Sequence, residues 1–471
     1  MDSIAIELAL RDLLAQSHAA WQRCTPTYAQ RMDDLSRLRA ILVSRFDDLA
    51  AAMSADFGQR SRHESCLADQ MTVLDAINHA RRHLRRWMRP KRMWANWPLL
   101  PARAEIRFRP LGVVGIIAPW NYPVNLSLIP LVEALAAGNH VLIKPAEQTP
   151  RTSAILAEII GAAFPSDRVA VVQGDATVGA AFAALPFDHL VFTGSTEVGR
   201  KVAQAAAANL TPVTLELGGK SPVLVAPGYP LATAAARIAQ GKWLNAGQTC
   251  IAPDYALVPH GTRNAFVDAL REEVARRYPS FRGNPDYTSI VSDRHYSRLV
   301  ALVDEAREAG AAVVTLPSED AHDPTRRIFP PTLVLADAEL PIGLLREEIF
   351  GPVLPLLEYA TMDDALAVIR QNPDPLAIYV FDHDRARTDR VLDAIPAGGA
   401  CLNDTVLQVA QSRLPFGGIG SSGMGHYHGY AGFLTFSKQL PVLRQARWSS
   451  ASLLRPPYGK LADRLLALLT R

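Results

Sequence analysis

Beginning at residue 111, short β-branched runs alternate with longer alanine-rich segments of helical period, and this alternation restricts the chain to a narrow set of folds. "LGVVGII" (111–117), "HVLIK" (140–144), "VAVV" (169–172) and "HLVFT" (189–193) read as buried strands, with helices near 124–138, 151–164, 177–184 and 197–209. Strands that are apolar along their whole length are covered on both faces, and strands joined by helical crossovers run parallel. The predicted class is therefore α/β, with a Rossmann-like parallel sheet. After "TLELGGKSPVLV" the pattern restarts at "DYALVP", with helices near 262–278 and 295–309. It continues through "AAVVTL" (311–316) and "AIYVF" (377–381) to "GACLN" (399–403), which predicts a second α/β domain. Sheets of this kind receive ligands at the carboxyl ends of their strands, so functional residues are sought there.

At 471 residues the chain exceeds one ordinary core, and two or three domains are expected. Its 49 Lys and Arg against 46 Asp and Glu give a net charge of only +3, which supplies no global field for a nucleic-acid partner. Cys24, Cys66, Cys250 and Cys401 form no CxxC pair, which argues against a zinc ribbon or a disulfide framework and for reduced thiols in the cytoplasm. "MDSIAIELALRDLL" has an acid at Asp2 and no basic region, so it is expected to be no signal peptide; Ile6, Leu10, Leu13, Leu14 and Trp21 fall at helical spacing. "LADRLLALL", near the other end, is much shorter than the roughly 20 residues a bilayer span needs, which leaves a peripheral membrane contact open.

Three segments interrupt or flank the pattern. The Pro-, Gly- and Arg-rich stretch around 89–112 is compatible with a hairpin arm. The run "RRHLRRWMRPKRMW" (81–94) reads as a solvated helix face ahead of a linker rather than an anion-binding surface. His426 and His428 stand two apart without a third ligand, so no metal is expected.

The candidate chemistry centres on "NAGQTCIAPD" (245–254), where Cys250 sits among glycine, amide and hydroxyl groups. Alone it reads as a small core residue as readily as a nucleophile. Upstream, "VTLELGGKSP" ends a strand with Glu216, a carboxylate that is costly in an apolar run unless paired or functional. "APWNYP" places Asn121 just past a strand end, where its amide can donate to an oxyanion. "FTGSTEVGRK" is a strand, a Gly-Ser turn and a helix start, an arrangement that suits a pyrophosphate. Its spacing is GxxxxG (Gly194, Gly199), not GxGxxG, and the acid expected about 20 residues later is missing; the best candidate, Glu147 in "IKPAEQTP", lies before it.

Together with "EEIFGP" (347–352), these motifs in this order strongly resemble the NAD(P)-dependent aldehyde dehydrogenase superfamily across nearly the whole chain. The tail "LPFGGIGSSGMGHYHGYAGFLTFSK" looks like the class 3 branch, and more closely like bacterial coniferyl-aldehyde dehydrogenases. The resemblance implies a thiohemiacetal and thioester mechanism, with Cys250 as nucleophile, Asn121 as oxyanion donor and Glu216 as the base that activates water. It implies NAD, with NADP possible, held by Trp120, Lys144, Glu147, Gly194, Ser195, Gly199, Leu217, Glu348 and Phe350. Lys220 and the His-Tyr-His segment become structural, and Trp120 and Tyr122 are candidate rings for lining a tunnel for a flat aldehyde.

The implied fold has a cofactor domain (1–96 and 113–216), a catalytic domain (217–404) and a small β oligomerisation arm (97–112 and 430–445). A substrate-site loop (405–429) and a tail (446–471) complete it, and a homodimer is expected. Acylation of coenzyme A is disfavoured by Glu216, a thiol esterase by the intact cofactor motifs, and a silent NAD-binding protein by the pairing of Cys250 with Glu216.

Overall fold

A computed structural model describes residues 3–281, 283–316 and 322–470; Asp2 and Arg471 lie outside the described residues. Six strands form the first sheet, in the order Gly423–Met424, Val213–Glu216, His189–Thr193, Val113–Ile117, His140–Lys144 and Val169–Val171. All pair parallel except the short edge strand Gly423–Met424. The chain starts in the middle with Val113–Ile117, builds outward to one side, then returns to build the other. The sheet therefore has a switch point between Val113–Ile117 and His189–Thr193, where a crevice opens at the strand ends.

Continuous apolar strands are required here because helices cover both faces. Val114, Ile116, Val141, Ile143 and Val191 point into one core, against the helices Tyr28–Phe57, Thr72–Trp87, Asn125–Ala137 and Pro150–Ala163. Leu142, Leu190 and Phe192, one residue out of phase, point into the other core with Leu10 and Leu14 of the helix Ser3–Arg23. The helical spacing at the N-terminus thus marks a docked helix.

The second sheet has seven strands, in the order Ala312–Thr315, Thr332–Leu335, Val353–Tyr359, Tyr255–Pro259, Pro222–Val225, Ala377–Phe381 and Gly399–Leu402. Only Ala312–Thr315 pairs antiparallel. Thr332–Leu335 and Val353–Tyr359 were not expected as strands. They lie in proline-rich sequence, and Pro355, opposite Val334, stands inside the second of them.

A third, antiparallel sheet joins Lys91–Met93, Arg103–Pro110 and Ser437–Arg444. Within the stretch around 89–112 read as a hairpin arm, strands run over Lys91–Met93 and Arg103–Pro110, and the run 81–94, read as a helix face, is helix only to Trp87. That helix is also less solvated than its arginines suggest, since Leu84 and Trp87 are buried. Among the described residues no helix is long and apolar enough to cross a membrane.

Candidate active site

The candidate residues of the first sheet converge because they stand at or just past the carboxyl ends of its strands. Trp120, Asn121 and Tyr122 come after Val113–Ile117, Lys144 closes its strand ahead of Glu147, Gly194 follows His189–Thr193, and Glu216 is the last residue of Val213–Glu216. From the second sheet, Cys250 lies between the helix Leu231–Trp243 and the strand Tyr255–Pro259, and Glu348 and Phe350 precede Val353–Tyr359. Cys250, Glu216, Tyr122 and Leu217 all line one cavity of about 250 Å³ between the two sheets, with a wall that is otherwise mostly apolar.

Glu216 is 2% exposed and neither carboxylate oxygen has a hydrogen-bond partner, so burial holds its acid well above the usual carboxylate range. An unpaired carboxyl in an apolar cavity is basic once ionised and free to take a proton. Burial, then the neighbouring carboxyls of Glu348 and Glu216, push the Cys250 thiol up to about 12. Asn121 is buried, and its side-chain Nδ2 donates to the Gln248 carbonyl at 3.1 Å, which fixes the amide against the loop carrying Cys250. That loop is itself unusual: Asn245 and Ala246 adopt left-handed backbone, with φ of 53° and 52°. The Tyr122 hydroxyl and Thr249 Oγ1 lie 2.6 Å apart, tying the ring to the same loop.

Glu348 faces the glycine pair Gly218–Gly219. A Cβ on Gly218 would fall 1.9 Å from its Oε2, and its Oε1 is buried without a partner. Burial and Asp254 raise its acid to about 8. A bare backbone beside an orphaned carboxylate oxygen fits a hydroxyl-rich ligand such as the ribose of a dinucleotide. Lys220 underpins this wall: its Nζ pairs with Asp254 and donates to the carbonyls of Leu344 and Glu347 at 2.8 and 2.9 Å. On the first sheet, the Lys144 ammonium lies 3.4 Å from Glu147, and Ser195 caps the helix Thr196–Ala207 through the N–H of Val198. Gly199 packs against Leu217, whose side chain a Cβ there would meet at 2.5 Å.

Two expectations change. Trp120 is absent from the cavity wall and packs instead with Phe57, His295 and Phe350, at 6.0, 5.1 and 5.4 Å between ring centres, so it does not line a substrate tunnel. The strand Val113–Ile117 releases it toward the second sheet. Tyr427 and His428, expected to be only structural, line the cavity beside Cys250 and Glu216. They reach it because Gly423–Met424 pairs with the strand that ends in Glu216 and brings the following segment across the crevice. Glu133 then holds that segment, accepting the N–H groups of His428 and Gly429 at 3.1 and 2.6 Å. The sequence also gave no sign that Cys66–Met71 forms a π-helix, from which Leu67 and Met71 reach the cavity mouth.

The family model "Aldehyde dehydrogenase family" matches residues 5–440. The chain is 48% identical over 458 residues to a protein of Pseudomonas aeruginosa named "Probable coniferyl aldehyde dehydrogenase", covering 97% of this chain and 95% of that one. A substrate-bound structure of Staphylococcus aureus AldH superposes with a TM-score of 0.91 at 36% identity, covering 97% of this chain and 99% of that one. A Mycobacterium tuberculosis aldehyde dehydrogenase complexed with NAD+ gives a TM-score of 0.80 at 27% identity, with 92% and 90% covered.

Proposed function

The chain belongs to the aldehyde dehydrogenase family, and on that premise we propose that Cys250, Glu216 and Asn121 carry out a hydrolytic, non-acylating oxidation of an aromatic aldehyde. It is an NAD(P)-dependent aldehyde dehydrogenase that oxidises an aldehyde to the carboxylic acid. The observation that carries the residue assignment is the unpaired Glu216 carboxyl in the same apolar cavity as the Cys250 thiol.

Cys250 loses its proton and its sulfur bonds to the carbonyl carbon. The oxyanion formed accepts from the remaining N–H of the Asn121 amide and from the backbone N–H of Cys250. When bound, the nicotinamide cofactor supplies the hydride acceptor that turns the thiohemiacetal into a thioester. Glu216 takes a proton from water, and the hydroxide adds to the thioester and releases the acid. Glu348 and Phe350 are assigned to the nicotinamide ribose and ring, with Trp120 packed behind Phe350. Gly194 and Ser195 go to the pyrophosphate, with Gly199 and Leu217 shaping the floor beneath it, and Lys144 and Glu147 to the adenosine ribose. NAD is favoured over NADP because the Glu147 carboxylate would bond a 2′-hydroxyl and repel a 2′-phosphate.

An aromatic, coniferyl-aldehyde-like substrate is supported by the rings of Tyr122, Phe416 and Tyr427 in a mostly apolar wall, and by the similarity to the P. aeruginosa protein. Absorbance at 340 nm with coniferyl aldehyde, benzaldehyde and hexanal tests it. Coniferyl aldehyde is expected to give the highest kcat/KM, and comparable values for hexanal would make the enzyme a generalist for aliphatic aldehydes. The six-stranded sheet is assigned to the cofactor and the seven-stranded sheet to catalysis. The three-stranded arm, with exposed Leu440 and Leu443, is assigned to a homodimer, which light scattering tests. A reducing cytoplasmic setting suits the four free cysteines.

A further inference from the structure

A second cleft is lined by His63, Glu64, Gln240, Arg277, Tyr278 and Asp286. Gln240, on the helix that leads into the Cys250 loop, borders both this cleft and the apolar cavity. Glu64, in the short helix Arg62–Ser65, points its Oε2 at that loop. The backbone N–H of Asn245 donates to it at 3.1 Å, and Thr288 Oγ1 donates at 2.8 Å.

Asn245 is the first of the two left-handed residues that turn the chain out of its helix toward Cys250. L residues seldom adopt that backbone, and two in succession persist only where their surroundings hold them. Glu64 holds the first. From there the bonds run directly into the chemistry: Gln248 Nε2 donates to the Asn245 carbonyl at 3.0 Å, and the Gln248 carbonyl accepts from both Asn245 Nδ2 and Asn121 Nδ2. The Asn121 carbonyl in turn accepts from Asn245 Nδ2 at 3.1 Å and from Arg60 Nη1. One carboxylate outside the cavity thus anchors the turn on which the thiol and the amide are both registered.

We propose that Glu64 is a positioning residue, which in its ionised form clamps the Asn245 turn and so sets Cys250 and Asn121 in register for attack on the aldehyde. This rests on the reading of Cys250 as nucleophile. The ionised form makes the stronger bond to an N–H, so protonation through the open cleft loosens the turn. Burial raises the Glu64 acid to about 7, opposed by Thr288, Arg60 and the Asn245 N–H and reinforced by Asp286. His63, which pairs with Asp286, and Arg277, Tyr278, Tyr287 and Tyr122 are the other titratable groups around it. Activity should therefore fall as pH drops through neutrality.

The test compares wild type, Glu64→Ala and Glu64→Gln by steady-state kinetics with benzaldehyde and NAD across pH, with Cys250→Ala as control. Glu64→Ala is expected to lose roughly tenfold or more in kcat with little change in KM for NAD, since the residues assigned to NAD lie elsewhere. Glu64→Gln, which keeps a neutral acceptor in place of the carboxylate, is expected to run at the level wild type reaches below neutrality, above Glu64→Ala, and to lose the limb near pH 7. A Glu64→Ala enzyme with wild-type kcat, or a Glu64→Gln enzyme that keeps the neutral limb, would overturn the assignment. Should Glu64→Ala fail to fold, the Glu64→Gln pH profile decides alone. Failure of the underlying reading would look different, as Cys250→Ala would then still turn over.

Discussion

The Glu348 carboxylate rests against the bare α-carbon of Gly218, so closely that a Cβ there would lie 1.9 Å from Oε2. Alanine at 218 must displace that carboxylate from the place assigned to the nicotinamide ribose. Gly218→Ala is therefore expected to raise KM for NAD by roughly tenfold, about 1.4 kcal/mol, with the aldehyde KM little changed. Titration of both substrates checks it, and a rise confined to the aldehyde would contradict the placement.

Lys220 supports the same wall from beneath. Its buried ammonium satisfies Asp254 and two carbonyls of the 344–347 segment, and Asp254 also accepts the N–H of Ile349 at 3.1 Å. Lys220→Met leaves the Asp254 charge buried and unpaired, which costs about 3–5 kcal/mol. Calorimetry should show Tm lowered by several degrees, together with weaker NAD binding. An unchanged Tm would mean the pair contributes nothing net.

The fold was largely legible because burial on both faces writes itself as continuous apolar runs. His140–Lys144, His189–Thr193 and Ala377–Phe381 fall where the pattern put them. Thr332–Leu335 and Val353–Tyr359 escaped because prolines mask their period. At the site, Glu216 ends a strand ahead of two glycines, and Cys250 and Glu348 stand in short loops beside a glycine, places that suit close approach to a ligand. The setting of Tyr427 and Glu64 in the sequence does not tie either to Cys250. Tyr427 reaches the cavity only through the pairing of Gly423 with Glu216, and Glu64 matters only through a bond 181 residues away in sequence, so neither follows from periodicity or spacing.

Glu147, assigned to the adenosine ribose, sets the choice between NAD and NADP. Its carboxylate is half-exposed and lies 3.4 Å from Lys144 Nζ. Glu147→Gln removes the charge that repels a 2′-phosphate while leaving Lys144 to attract it, so the ratio of kcat/KM for NADP to that for NAD should rise by about tenfold. An unaltered ratio would remove Glu147 from the cofactor site.

Protonation of the thiol gives a prediction with a definite sign. Burial and two carboxyls push Cys250 up to about 12, so without cofactor the thiolate fraction should climb about tenfold per pH unit from pH 7 to 10 with no plateau. Iodoacetamide labelling followed by mass spectrometry reads this rate. Glu348, raised to about 8, is anionic only above that pH, where it opposes the thiolate. Glu348→Gln should therefore label faster than wild type at about pH 9 and at the same rate near pH 6. A plateau in the wild type at neutral pH would show a thiol already ionised.

The most direct test is a rapid-mixing record at 340 nm of wild type, Cys250→Ala and Glu216→Gln with NAD and benzaldehyde. With Glu216 as the base for water, Glu216→Gln should give a full burst of NADH followed by a steady state slowed by roughly 10²–10⁴-fold, and Cys250→Ala should give neither. A Glu216→Gln enzyme that turns over at the wild-type rate, or a Cys250→Ala enzyme that still forms NADH, would contradict the account.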